Sequence, residues 1–376
     1  MTLLSPLISR RSVHRITIHD DGETCVLDFG DCTITIKGPR LGNDPRTHFD
    51  FVLLLAAAVG MTRGRRFEIE APVTREAVHA LNKFLFVWRC WRTRGIRPTD
   101  VIPLNIVEPE ARARSGGVVT LSGGVDSTYA VMRARREFGL EHALLVAGAD
   151  YPSSEHPGFK ELHERVRGIT DGLNVTLHVV ETDARRVISD WVSHHIAVLT
   201  SILKLVGGGL DWAGYAADVT VWGELTYAPG SNMAGFAEII GTRDHPFRYF
   251  GGSESRAMKL RQIAEEAPSL LRHISVCWKD TSIGGNCGAC EKCIRTRLAL
   301  EAAGVGQAAI FDNEIDLVEA LAKAAVPWRR AGGIQLLRLD YYSLEELPAG
   351  ELRSALQKRM KRVARRHDLY LGSDTD

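Results

Sequence analysis

The chain has 376 residues, 45% of them hydrophobic and 25% charged, and a formal net charge of +1. That is an ordinary globular mixture, long enough for more than one domain, and it leaves no global field to draw the protein to nucleic acid or membrane. The longest apolar stretch, around residues 51–59, is far short of the roughly 20 residues that span a bilayer, and no charged start precedes an apolar run at the N-terminus, so a cytoplasmic protein without membrane association is expected.

In chain order, residues 13–18, 24–29 and 33–37 alternate as strands, with Asp21 and Gly22 marking a hairpin turn. Residues 49–59 read as a helix, 66–69 as a short strand and 74–91 as an amphipathic helix. Residues 1–111 are therefore expected to form a small α+β domain, and they carry no recognisable chemistry. A polar joint follows near residue 112. Strands are then expected at 117–121, 142–147, 174–180 and 218–222, alternating with helices at 127–138, 158–170 and 194–206. Alternation of this kind predicts an α/β domain with a doubly wound parallel sheet over 112–305, whose ligands bind at the carboxyl ends of the strands. Residues 306–376 read as a helical extension.

The first chemistry appears where the strand ending at Leu121 gives way to a helix, through Ser122, Gly123, Gly124, Val125, Asp126 and Ser127. Amides at a helix start have no internal partner, and the helix dipole favours an anion there. The glycines allow close backbone approach to phosphate oxygens, and the two serines add hydroxyl donors. Asp126 fits such a place if it holds magnesium or caps the helix. The competing reading is a glycine-rich turn with an aspartate cap. The string lacks the lysine of the Gly-x-x-x-x-Gly-Lys-Ser/Thr loop and is not the Gly-x-Gly-x-x-Gly pattern.

Ser-Gly-Gly-Val-Asp-Ser after a strand resembles the signature of the PP-loop ATP pyrophosphatases. That superfamily includes asparagine and GMP synthetases, tRNA thiolation enzymes and 7-cyano-7-deazaguanine synthase. The resemblance implies a HUP-like fold, ATP and Mg2+, and adenylation of an oxygen with departure of pyrophosphate. It places residues 121–127 on the nucleotide and makes Asp126 and Ser127 catalytic. It also matches Lys259, which opens a helix before the cysteines, to a late lysine that contacts phosphates; an exposed helix lysine is the competing reading, and Arg256 is a weaker candidate of the same sort.

Four of the seven cysteines, Cys277, Cys287, Cys290 and Cys293, fall within seventeen residues. Two overlapping Cys-x-x-Cys steps can bring thiolates to one tetrahedral ion, and glycines at 284, 285 and 288 supply the turns. Structural Zn2+ is the favoured reading, ahead of an iron–sulfur cluster, a redox pair or free thiols. The run from Cys287 through Gly288, Cys290 and Cys293 also resembles the zinc-binding end of the queuosine-pathway 7-cyano-7-deazaguanine synthases and their stand-alone relatives. This resemblance spans about residues 116–305. The N-terminal region and C-terminal extension depart from that pattern, which puts the deazaguanine substrate in doubt.

Further candidates are single residues. Ala149, Asp150 and Tyr151 follow the second strand of the α/β region, where adenosine is expected, although an ordinary loop is the better reading for any one of them. The pair His194 and His195 reads as structural before it reads as ligand. One of Glu224, Asn232 and Arg243 is expected to touch the acceptor. The basic tail (Arg353, Lys358, Arg359, Lys361, Arg362, Arg365 and Arg366) could bind RNA, but a solvated helix face is the commoner explanation.

The expected activity is that of an ATP-dependent ligase. It would adenylate a carboxylate or amide oxygen of a small-molecule acceptor and then pass the product to ammonia or an amine, in a protein expected to form a homo-oligomer. A tRNA-modifying enzyme and a non-catalytic nucleotide-binding partner protein are the alternatives.

Overall fold

The computed structural model describes residues 13–44, 47–91, 96–109, 114–225, 234–277, 285–326, 337, 340 and 343–369. The protein is an α/β structure built on one large, mostly parallel sheet. The sheet's first strands are β1 (Val13–Asp20), β2 (Thr24–Asp28) and β3 (Thr33–Lys37), an antiparallel meander. Its first turn forms because Asp21 accepts the Glu23 and Thr24 amides at 2.9 and 2.7 Å while Gly22 takes φ +92°. Helix α1 (Phe51–Arg63), β4 (Arg66–Ile69), β5 (Val73–Thr74), α2 (Arg75–Trp91), β6 (Asp100–Pro103) and β7 (Ile106–Val107) follow.

The second stretch runs β8 (Gly117–Thr120), α3 (Val125–Phe138), β9 (His142–Ala147), α4 (Pro157–Leu173), β10 (Thr176–Thr182), α5 (Ala184–Val187), α6 (Trp191–Val206) and β11 (Trp212–Ala216). It continues through α7 (Val221–Leu225), α8 (Ala234–Ile240), β12 (Phe247–Phe250), α9 (Arg256–Glu266), α10 (Glu291–Ala303), α11 (Leu317–Lys323) and α12 (Glu351–His367).

The ten-stranded sheet has the order β12-β11-β8-β9-β10-β3-β2-β1-β4-β6. Strands β12 to β10 are mutually parallel, as are β1, β4 and β6, and β3 joins β10 antiparallel through Ile36 and Lys37. The N-terminal α+β segment thus shares one sheet with the rest, and Asp183 strengthens the joint by accepting the Thr35 amide at 2.8 Å. Alternate strand residues feed two cores. Val119, Ala143 and Leu145 face one with α3, α4, α9 and α10, whereas Val118, Leu144 and Ala213 face the other with α1 and α6.

The strand expected at 218–222 lies instead at Trp212–Ala216, and Val221–Leu225 is helical. The true strand is buried on both faces, so it shows no alternation. It is also rich in small residues, because a Cβ on Gly214 would stand 2.8 Å from the Phe250 ring of its neighbour β12. Strand β12 was not evident in the sequence for want of length.

Candidate functional site

Strand β8 is the first of the five parallel strands in the chain yet lies in their middle, with β9 on one side and β11 on the other. The strand order reverses there, so the connections leave to opposite sides and a crevice opens at the carboxyl ends. The loop after β8 occupies that crevice. Leu121 closes the strand through its amide to the Leu144 carbonyl at 2.8 Å. Gly123 then turns with φ +78°, where a Cβ would stand 3.0 Å from Leu162 and Val166 of α4. Gly124 is the N-cap of α3 and offers no side chain to its first amides.

The serines behave differently from expectation. Ser127 Oγ accepts the Ser122 amide at 3.1 Å, lies 3.1 Å from Ser122 Oγ and donates to the Gly124 carbonyl at 3.2 Å. The two hydroxyls meet each other and close the loop on itself. The back of the loop is tied as well, since the Ser275 amide donates to the Gly123 carbonyl at 2.8 Å.

Asp126 does not cap α3. Its Oδ1 accepts from Lys259 Nζ at 2.9 Å and its Oδ2 from Arg256 at 2.6 Å. Burial alone would raise this carboxyl, but the two cations outweigh it and hold it at about 2. Lys259 is not an exposed helix lysine. It is 1% exposed and donates also to the Ala217 carbonyl at 2.7 Å, at the end of β11. Ser255 caps α9 by accepting the Met258 amide at 3.1 Å, which fixes the helix that carries both cations.

Asp126 and Arg256 line a cavity of about 400 Å³, within the range of small-molecule sites, and Lys259 stands behind them. Residues 120–127 form its floor, with Ala149, Asp150 and Tyr151 after β9 on one side and Tyr215, Asp218 and Val219 around β11 on the other. Trp191 and His195 of α6 stand at one wall, and Arg256, Lys292 and Arg295 bring positive charge to another. Burial, then the nearby Arg256, lowers the Lys292 ammonium below its usual range.

The histidine pair is split. His195 lines the cavity, but His194 sits in the core 5.6 Å from the Trp88 ring, where burial lowers it to about 4. The acceptor candidates are dispersed. Glu224 is buried and accepts from Tyr249 at 2.6 Å and from the Ala234 amide at 2.8 Å, Arg243 is exposed beside Glu76, and Asn232 lies outside the described residues. Neither Glu224 nor Arg243 lines the cavity. Lys292 and Arg295 were missed, although their spacing from Cys290 and Cys293 puts them on a common helix with the thiols.

The four cysteines do converge. Their sulfurs all lie within 4.8 Å of one another, with 3.9 Å from Cys277 to Cys290, 3.9 Å from Cys287 to Cys293 and 3.5 Å from Cys290 to Cys293. Four sulfurs on one zinc at about 2.3 Å stand roughly 3.8 Å apart, so the cluster fits a single tetrahedral ion such as zinc. Two side chains hold the loops around it. Asn286 accepts the Val276 and Cys277 amides at 2.7 and 3.3 Å and donates to the Ile274 carbonyl at 2.8 Å. The fully buried Arg297 donates to the Gly288 carbonyl at 3.0 Å and to Gln307 at 2.6 Å, and stacks 3.9 Å over the Phe311 ring.

In the basic tail, Arg353 donates to the Leu344 and Leu347 carbonyls, Arg359 is buried beside Asp340, and Arg362 donates to the Leu321, Ala322 and Ala324 carbonyls. These three arginines fasten α12 to the body, whereas Lys358, Arg365 and Arg366 are exposed, as a solvated face would have them. Among the described residues no helix is long and apolar enough to cross a membrane. No protein-family model matches this chain, and no curated protein matches it.

Proposed function

We propose that the protein is an ATP pyrophosphatase of the PP-loop type with a HUP-like catalytic half, which adenylates a small acceptor and releases pyrophosphate. One observation carries the reading. The Ser122–Ser127 loop and the start of α3 share one cavity with Arg256, Lys292 and Arg295 where the strand order reverses, and Asp126 of that loop pairs with Arg256 and the buried Lys259. A helix start with cations gathered around the same cavity suits a polyphosphate.

In this reading the triphosphate rests on residues 122–127 and the adenosine extends towards Ala149–Tyr151. Magnesium bound with the triphosphate would neutralise its charge. An acceptor carboxylate or amide oxygen attacks the α-phosphorus, the bond to the β-phosphate oxygen breaks, and the amides and cations stabilise the charge that gathers on pyrophosphate. Asp126 keeps Lys259 and Arg256 aimed at that charge. Ammonia or an amine then attacks the acyl or imidoyl carbon, and AMP departs. The chemistry needs mainly positioning, so a missing side-chain base is no obstacle. Zinc on Cys277, Cys287, Cys290 and Cys293 would be structural, with no place left for a water. The internal use of Arg353 and Arg359 weakens the RNA reading, and a cavity of about 400 Å³ suits a small acceptor.

The test is product analysis with ATP, magnesium, ammonium and pooled small carboxylic acids, including 7-carboxy-7-deazaguanine. AMP and pyrophosphate with one pool, absent in Asp126→Ala, is the expected outcome. ADP and phosphate would sink the mechanism.

A further inference from the structure

Helix α10 has two working faces. Cys290 is its N-cap and Cys293 lies in its first turn, and Arg297 one turn on ties back to Gly288 of the cysteine loop. Lys292 and Arg295, three residues apart, are neighbours on the helix surface and both open onto the cavity. The same cluster reaches the opposite wall. Cys277 ends the segment whose Ser275 amide holds the Gly123 carbonyl. Both the loop and the facing cations therefore hang from the four thiols.

The charges in the cavity are unevenly used. Arg256 and Lys259 are taken up by Asp126. Among the described residues Arg295 pairs only with its own helix's Glu291 at 3.0 Å, a half-exposed partner. Among the described residues the half-buried Lys292 ammonium forms no ion pair or hydrogen bond. A cation partly removed from water without an anion carries a desolvation cost that an entering anion would offset.

We propose that Lys292 and Arg295 bind the pyrophosphate end of the nucleotide, and that the metal held by the four cysteines sets their distance from the Ser122–Ser127 loop. The proposal rests on the ATP reading above and goes beyond it, because it makes the metal site a determinant of anion affinity. Lys292 and Arg295 contact the ligand, while the cysteines act through them as positioning residues.

Calorimetric titration of the zinc-loaded protein with inorganic pyrophosphate and, separately, with AMP tests this. Lys292→Gln and Arg295→Gln should each weaken pyrophosphate binding by about tenfold, the loss of one charge-assisted contact, and leave AMP binding unchanged. Pyrophosphate affinity equal to the parent's in both variants overturns the assignment, even if ATP is still cleaved to AMP. Stripping the metal should weaken pyrophosphate binding by a similar factor and abolish the difference between the parent and Lys292→Gln. A metal-free protein that keeps its circular dichroism and its pyrophosphate affinity overturns the coupling. Should chelation unfold the chain, Cys287→Ser, at the exposed thiol, replaces it, and the two glutamine variants in loaded protein still decide the assignment. A parent that binds neither ATP, AMP nor pyrophosphate refutes the ATP reading itself.

Discussion

The two halves of the sheet each tie down an aspartate, and they use it in different ways. In the N-terminal half, Asp50 precedes α1 and accepts the Thr74 amide and hydroxyl at 2.7 and 2.6 Å, with His48 at 3.4 Å. Residues 51–61 of α1, which follow it, are buried on every side. In the other half, Asp126 is held by two cations beside open space. Asp50 is a brace held by Thr74, whose hydroxyl also accepts the Ala77 amide of α2 at 3.2 Å. Asp126 restrains charges that a ligand can share. What separates them is place: Asp126 stands where the strand order reverses at β8 and a crevice opens, and Asp50 at the start of α1, away from that reversal.

The largest expected effect lies at the cysteines. Removal of a 1:1 bound metal should lower unfolding stability by about 4 kcal/mol or more, because the cluster joins three segments around α10. Chelator-dependent melting with metal analysis checks it. Asp126→Ala should cost about 3–5 kcal/mol in denaturant unfolding, since it strands the buried Lys259, and it should also abolish ATP cleavage. Asp50→Ala, by contrast, should cost about 2 kcal/mol and leave ATP affinity unaltered. If the Asp50 variant lost nucleotide binding as well, the contrast between the halves would fail.

A smaller effect separates two glycines. Gly123→Ala combines a φ of +78° with contacts at 3.0 Å, so about 2–3 kcal/mol is expected together with weaker ATP binding. Gly139→Ala, at φ +63° in open space, should cost about 1 kcal/mol and leave binding intact.

The pH dependence sharpens the same contrast. The Asp126 carboxyl stands at about 2 in the folded chain against 3.8 when free. A depressed carboxylate contributes stability above its unfolded value, and loses it as pH falls through the folded one. About 2 kcal/mol should therefore disappear between roughly pH 4 and pH 2, and this loss should be missing in Asp126→Asn.

What the sequence made legible was local. A strand, two glycines and a helix start within eight residues identify the loop, and cysteine spacing identifies the metal cluster, because both patterns are written in consecutive residues. The hairpin at Asp21 and Gly22 is of the same kind. The partners of Asp126 were not legible as partners, since Arg256 and Lys259 come from 130 and 133 residues away. Lys259 was named only through resemblance, and its burial was not foreseen. Lys292 looked like an ordinary residue between cysteines until α10 turned it into the cavity. The shift of β11 has another cause, since a strand of small residues buried on both faces shows neither alternation nor β-branching. The joint between β3 and β10 rests on two residue pairs that no local signal announces.

The central claim is that the loop and the cation wall together break ATP between its α- and β-phosphates. The most direct measurement is exchange of labelled pyrophosphate into ATP, in the presence of magnesium and the acceptor pool but without ammonium. The account predicts label in ATP that depends on the acceptor and vanishes in Asp126→Ala. Turnover of ATP with the same acceptor that exchanges labelled phosphate through ADP, with no pyrophosphate exchange, would contradict it.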